Sequence, residues 1–346
     1  MRTRMRGLAL AAGVTAGAVL ASAGAAGPAV ADPGVPAATD IVSAGSETTQ
    51  AFDNGLSAAY NATDPASKYY SWDATGYSPI MPKAGAQVEA RPSNDAAGIN
   101  LLNSVDHNTV DIARASRGPN PGTSEWFIPF AEDGVGWAAY TGGNAPHDLT
   151  SADLTAIFSC EITSWNQITD EPGYTGPNAA IDVFVPQYGS GTGTFFQSAL
   201  GITNIPSCWK GPTPQEDEGT DPVFAGDVNA VFPYSLGHYV GQVYDGRGSG
   251  SDQPGVLDAN RSIDGMNQID AAAKAYTANW PPAYTRDLYH VVRQSDWADP
   301  AEGPRLKALL DRSVSNGWLC ANGTSLLTSY GFRPLARGCG TLQAGG

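Results

Sequence analysis

The chain has 346 residues and carries 34 Asp plus Glu against 19 Lys plus Arg, a formal charge of −15 at pH 7. A field of that sign repels nucleic acid and anionic membrane surfaces and argues against either as a partner. The length exceeds the usual span of one hydrophobic core, and 41 Gly with 25 Pro imply many turns in a globular chain.

Arg2, Arg4 and Arg6 precede an apolar, Ala-rich stretch over residues 8–23, and Ala29-Val30-Ala31 has the small-x-small pattern of a signal-peptidase site. The stretch is shorter than the roughly 20 residues a spanning helix needs. Residues 1–31 are therefore read as a signal peptide. Its removal takes away three Arg and no acid, so the charge moves from −15 to −18. With no Cys at the cleavage site and no Arg pair before it, the rest is expected to be secreted in soluble form.

After a leader over residues 32–38, a short strand is expected over 40–44. The polar turn Gly45-Ser46-Glu47-Thr48-Thr49 follows, and then a helix on which Phe52, Leu56 and Ala59 recur. Arg91-Pro92-Ser93-Asn94-Asp95 leads into a second capped helix over 96–102. A strand over 109–113 ends in the turn Ser116-Arg117-Gly118-Pro119. Another helix starts at 150–153, with Leu154 and Ile157 on its buried face. Residues 181–185 read as a strand that enters Gln187-Tyr188-Gly189-Ser190-Gly191-Thr192-Gly193-Thr194, and 195–200 as the next helix, closed by Gly201. A strand over 287–293 and an amphipathic helix over 305–314, on Leu306, Leu309 and Leu310, follow. Strands alternating with helices specify an α/β protein.

Four cysteines in an exported chain imply two disulfides. Of the three pairings, Cys160–Cys208 and Cys320–Cys339 are expected, each stapling a loop-rich region within one lobe. No CxxC spacing and no nearby His pair favours metal ligation.

A helix N-terminus offers unpaired N–H groups and partial positive charge. Small hydroxylated turns at three such points are candidate anion sites, with simple capping by Ser190 or Thr192 as the alternative use. Arg117, in a turn after a strand, is a candidate anion-binding guanidinium, and Arg114 is read as structural. Signals for catalysis are thin. Tyr188-Gly189-Ser190-Gly191 lacks the first Gly of a nucleophile elbow. His107, His147, His238 and His290 are scattered, and neither a Walker lysine nor a dinucleotide fingerprint is present. No catalytic residue, metal or cofactor is expected.

Five segments in order carry a resemblance. They are Ser43-Ala44-Gly45-Ser46-Glu47-Thr48-Thr49, Val110-Asp111-Ile112-Ala113-Arg114-Ala115-Ser116-Arg117, Ile162-Thr163-Ser164-Trp165-Asn166-Gln167, Gly189-Ser190-Gly191-Thr192 and Ala230-Val231-Phe232-Pro233-Tyr234-Ser235. Over residues 40–335 the chain resembles the phosphate-type substrate-binding proteins of ABC transporters. The resemblance implies a two-lobed type II periplasmic-binding-protein fold with hinge strands, lobe I being 32–126 plus 284–346 and lobe II 127–283. It carries the ligand role onto Thr48, Thr49, Ser93, Ser190, Gly191 and Thr192.

There are two departures from the family pattern. Arg117 stands where the family has an Asp that accepts the proton of hydrogen phosphate, and the family's Arg before Gly-Ser-Gly-Thr is missing, with Pro186 and Gln187 in that region. Arg117 is taken as a cation moved across the cleft and joins the ligand set. Discrimination between phosphate, sulfate and an organic anion stays open. The expected function is capture of a small oxyanion, phosphate first, by hinge closure of a secreted monomer, with an ABC-transporter permease as candidate partner. The alternatives are a secreted hydrolase acting on phosphoesters and a ligand-free surface interaction module of the same fold.

Overall fold

The computed structural model describes residues 32–248, 250–312 and 317–345. The expected signal peptide, residues 1–31, lies outside the described residues, as does Val314 at the end of the last expected helix. Among the described residues no helix is long and apolar enough to cross a membrane.

The chain begins with β1 (Ile41–Gly45), α1 (Gln50–Asn61), β2 (Tyr69–Ser71), α2 (Asp95–Ser104), β3 (Ile112–Ala115) and the 16-residue β4 (Glu125–Tyr140). Then come β5 (Asp148–Leu149), α3 (Ser151–Phe158), β6 (Asp182–Val183), α4 (Gly191–Ala199), β7 (Ala230–Ser235) and α5 (Leu236–Asp245). Short strands β8 (Leu257–Asp258), β9 (Ser262–Ile263), β10 (Met266–Asn267), β11 (Ile269–Asp270) and β12 (Ala275–Tyr276) precede β13 (Thr285–Arg293). Helices α6 (Gln294–Ala298), α7 (Glu302–Leu310), α8 (Trp318–Asn322) and α9 (Thr324–Ser329) and strand β14 (Arg333–Pro334) complete the described α-helices and strands.

The main sheet runs β2-β1-β3-β13-β4-β7-β6, with β8 and β14 also on β4. Strands β1, β2 and β3 are parallel, while β13 pairs antiparallel with both β3 and β4. β4 is the long member because it serves two cores. Its first part pairs with β13 up to Gly134, and from Val135 it pairs with β7. Accordingly Ile128, Phe130 and Ala131 pack with Phe52, Leu56, Leu306 and Leu309, whereas Val135, Trp137 and Ala139 pack with Leu154, Phe196 and Phe232. A third cluster joins Val42, Leu102, Ala113 and Val291 on the other face of the β1–β3 region. Its tight point is Gly98 of α2 against β1, where an added Cβ would lie 2.6 Å from Gly45 Cα.

Local chemistry explains most element boundaries. Asn94 caps α2 by accepting from Ala97 N, and Thr150 with Asp153 forms a reciprocal capping box at α3. Some boundaries differ from expectation. α4 begins at Gly191, not at 195, because Ser190 Oγ accepts from Gly193 N and starts the helix inside the glycine-rich turn. The 181–185 strand is laddered only at Asp182–Val183, before Pro186 ends the segment. The third strand starts at Ile112, and α7 ends at Leu310. Both expected disulfides are present, with Cα–Cα distances of 5.7 Å for Cys160–Cys208 and 5.9 Å for Cys320–Cys339.

Candidate functional site

Ser46, Glu47, Thr48 and Thr49, between β1 and α1, are fully buried. Arg114 holds this turn in place by donating to Ser46 O, Gly45 O, Trp72 O and Ser71 Oγ, so it is structural as expected. The start of α4 faces the turn from the other core. Thr48 Oγ1 and Thr192 Oγ1 meet at 3.1 Å, and Thr48 Oγ1 also donates to Asp217 Oδ2 at 3.3 Å. Gly191 is pressed against Ser116 and Asp95, and a Cβ there would fall 2.1 Å from Ser116 Oγ and 2.3 Å from Asp95 Oδ2.

The α4 N-terminus already holds an anion, and that anion belongs to the chain. Glu216 Oε2 accepts from Ser190 Oγ at 2.6 Å and from Thr192 N at 3.2 Å. Its Oε1 has no hydrogen-bond partner among the described residues. Beside it stands Arg286, directly across the β13–β4 ladder from Asp133. Its Nε and Nη2 donate to Asp133 Oδ2 at 3.0 and 2.8 Å, Nη2 also donates to Thr192 Oγ1 at 2.9 Å, and Nη1 has no partner among the described residues. Asp133 is further held by Ser235 Oγ and Gly237 N at the start of α5. The ion pair therefore sits where β4 passes from one core to the other.

Carboxylates crowd this centre, and burial first, then the crowding, resets their protonation. Burial, and then the Glu216 charge, push Asp95 up to about 6. Burial pushes Asp217 up to about 7, with Glu216 adding to the rise and His238 opposing it. Glu47 is driven well above the usual range, first by burial and then by Asp252 and Asp217, and neither of its oxygens has a partner among the described residues. Burial alone would lower His238, but the Asp252 carboxylate at 2.6 Å pushes it up to about 10. Glu47, His238 and Asp252 bring one ligand atom each within 4.8 Å of one another, a spacing a metal ion could bridge. However, His238 Nδ1 lies 2.9 Å from Thr48 O and its Nε2 is bonded to Asp252, so no ring lone pair is left for a metal. The trio is better described as an imidazolium-centred network.

Of the seven candidate ligand residues, Thr48, Ser190, Gly191 and Thr192 converge at this centre. Thr49 is buried behind them, and its Oγ1 has no partner among the described residues. Ser93 contributes its carbonyl to Gln187 Nε2 at 3.1 Å, while the side chain entering the centre from that turn is Asp95, which accepts from Ser116 N at 2.6 Å. Arg117 stands apart, lining an outer cavity with its Nη1 on Gly118 O. The cation in the centre is Arg286. Sequence reading missed Arg286, Glu216, Asp217 and Asp133, because none of them lies in a small-residue turn before a helix. Only Asp95 had a signal, being one residue beyond the expected Ser93-Asn94 cap.

The sequence profile of the PBP superfamily domain matches residues 31–295. No curated protein sequence matches the chain. Among solved structures, an ABC-type phosphate transport receptor from Vibrio cholerae is similar at 17% identity and TM-score 0.54, over 86% of this chain and 100% of that one. A candidate phosphate ABC-transporter substrate-binding protein from Clostridium perfringens, with bound phosphate, is similar at 15% identity and TM-score 0.57, over 86% and 99%. At these identities the likeness carries the fold.

Proposed function

The chain belongs to the PBP superfamily, and on that premise we propose that it is a secreted solute-binding protein that captures a small oxyanion, phosphate first, between two lobes. The lobes are read as residues 32–126 with 284–346 and residues 127–283, hinged on β4 and β13. The separation of core clusters on either side of Gly134 supports two lobes, but Ile128, Phe130 and Ala131 pack with the first lobe's core, so on β4 the lobes part at Gly134 and not at 126.

One observation carries the anion reading: Glu216 uses the Ser190 hydroxyl and the Thr192 N–H as an oxyanion would. Thr48 and Arg286 complete a ring of donors drawn from both cores, so closing the lobes assembles it. Phosphate takes the place of the Glu216 carboxylate. Asp95, Asp217 and Glu47 do not oppose it at mildly acid pH, because raised pKa values keep their protons on and make them hydrogen-bond donors. In this reading the chain works as a monomer that delivers solute to an ABC-transporter permease.

The hydrolase alternative lacks an imidazole base beside Ser190 among the described residues, and the carboxylate bonded to that hydroxyl, Glu216, is the group read here as occupying the anion position. Ser190 Oγ is bonded to Glu216 and to its own helix, and both nitrogens of His238 are engaged elsewhere. Calorimetry on residues 32–346 with phosphate, sulfate and methylphosphonate tests the proposal. Saturable heat with phosphate is expected, together with no release of product from a generic phosphoester. No heat with any of the three anions refutes the oxyanion reading, and turnover refutes the non-catalytic one.

A further inference from the structure

Outside the buried centre a cavity of about 510 Å³ opens between the two cores, with the α4 turn as its inner wall. That volume lies in the range of small-molecule sites. Its chemistry is unlike that of the rest of the chain. In a protein with 34 acids, no Asp or Glu lines it among the described residues, whereas Arg117 and Lys210 both do. Lys210 is half exposed and paired to Asp182 at 2.8 Å. Arg117 makes no ion pair among the described residues, and only its Nη1 is engaged, on Gly118 O. The guanidinium therefore keeps most of its planar fork for a ligand.

The remaining wall is mixed: Asn120, Gln187, Gln197 and Thr213 are neutral and polar, and the rest has an apolar, aromatic side. Val185 is buried behind Trp209, whose indole N–H is fixed on Phe158 O at 2.8 Å so that the ring cannot swing away. Tyr188 and Ile205 are 92% and 72% exposed at the rim, where a bound apolar body would cover them. Large apolar side chains left this open beside an unpaired cation mark a binding surface more often than a structural one.

We propose that this cavity is a second binding site, specific for a planar organic anion: an aromatic body held by Trp209 and Tyr188, with its terminal oxyanion on Arg117. Arg117 follows β3 of one core and Trp209 belongs to the other, so such a ligand bridges the lobes and favours the closed form. The inference goes beyond inorganic oxyanion capture and does not depend on it.

The test uses 2-naphthoate, 1-naphthyl phosphate and the neutral 2-naphthalenemethanol, read by tryptophan fluorescence and calorimetry on residues 32–346. Saturable binding of both anions is expected. The neutral alcohol should bind at least 10-fold more weakly, and Arg117→Ala should weaken the anions by about 10–100-fold, as loss of a charge-assisted contact requires. Arg117→Lys should restore only part of that loss. Inorganic phosphate at saturation should leave naphthoate binding intact. Equal affinity for the alcohol, indifference to Arg117→Ala, displacement by phosphate, or no saturable binding of the anions would each overturn the proposal. A chain that fails to bind phosphate but still binds naphthoate through Arg117 would separate this site from the inner one.

Discussion

Glu216→Ala is the most informative perturbation of the inner site. Under the proposed function, an incoming phosphate has to displace a carboxylate that is already bonded to Ser190 Oγ at 2.6 Å and to Thr192 N at 3.2 Å. A hydrogen bond to a charged group contributes about 1.5–3 kcal/mol, and this carboxylate is held through Oε2, with Oε1 lacking a partner among the described residues. Deleting it removes the competitor but leaves the donors. The gain should be about one such bond, so phosphate should bind roughly 10–100-fold more tightly. The fold should tolerate the change. The lost bonds are offset by ending the desolvation of a buried charge and its repulsion of Asp95 and Asp217, so the unfolding free energy should shift by no more than about 1 kcal/mol.

Calorimetry with phosphate on the wild type, Glu216→Ala and Glu216→Gln at pH 6 and pH 8 measures the effect, with Gln expected between the other two. A second readout is independent of ligand: without Glu216, Asp95 and Asp217 should titrate lower and the pH dependence of melting should flatten. Phosphate binding to Glu216→Ala no tighter than to the wild type would refute the view that this carboxylate stands in for the ligand.

Other consequences follow from the same geometry. Asp95 and Asp217 hold their protons more tightly in the folded chain than at the usual 3.8, so stability should fall as pH rises from about 4 through about 7. His238, raised from 6.5 to about 10, contributes stability that is full below 6.5 and lost as pH climbs through 10. Both trends have the same sign, so the melting midpoint should drop by several degrees between pH 5 and pH 10, and a midpoint that rises over that interval would contradict the buried protonated network. Arg286→Met leaves Asp133 buried without its ion-pair partner, and should cost about 3–5 kcal/mol in denaturant unfolding. The double variant with Asp133→Asn should recover most of that loss; no recovery would mean that Arg286 acts through packing. Gly191→Ala drives a Cβ into Ser116 and Asp95 across the two cores, and should cost about 1–3 kcal/mol. Small-angle scattering should then show a larger radius while both cores stay folded, and an unchanged radius would mean that the turn yields locally.

Much of the architecture was legible because its signals are local. The capped starts of α2 and α3, the glycine-rich turn at α4 and the β1–α1 turn depend on residues within three or four positions of one another. The two cysteine pairings were readable as loop staples. Within the site, Thr48, Ser190, Gly191 and Thr192 were readable for the same reason, since each lies in a small, hydroxylated segment leading into a helix.

Residues that act through tertiary contact left no such mark. Arg286 meets Thr192 across 94 positions and Asp133 across 153; the second contact exists because β13 lies beside β4 in one register, and the first because the α4 N-terminus is set against that pair. Glu216 is one acid among 34 until the chain folds back and sets its carboxylate on the α4 N-terminus. Arg117 has the chemistry of an anion ligand, but the turn after β3 directs it to the outer cavity, while Asp95 enters the centre. Sequence alone therefore determined the α/β alternation and the turns able to receive an anion, because capping and small-residue access act over a few residues. Tertiary structure alone decided which anion rests there and which cation attends it, because Coulomb and hydrogen-bond energies depend on distance in space and not along the chain.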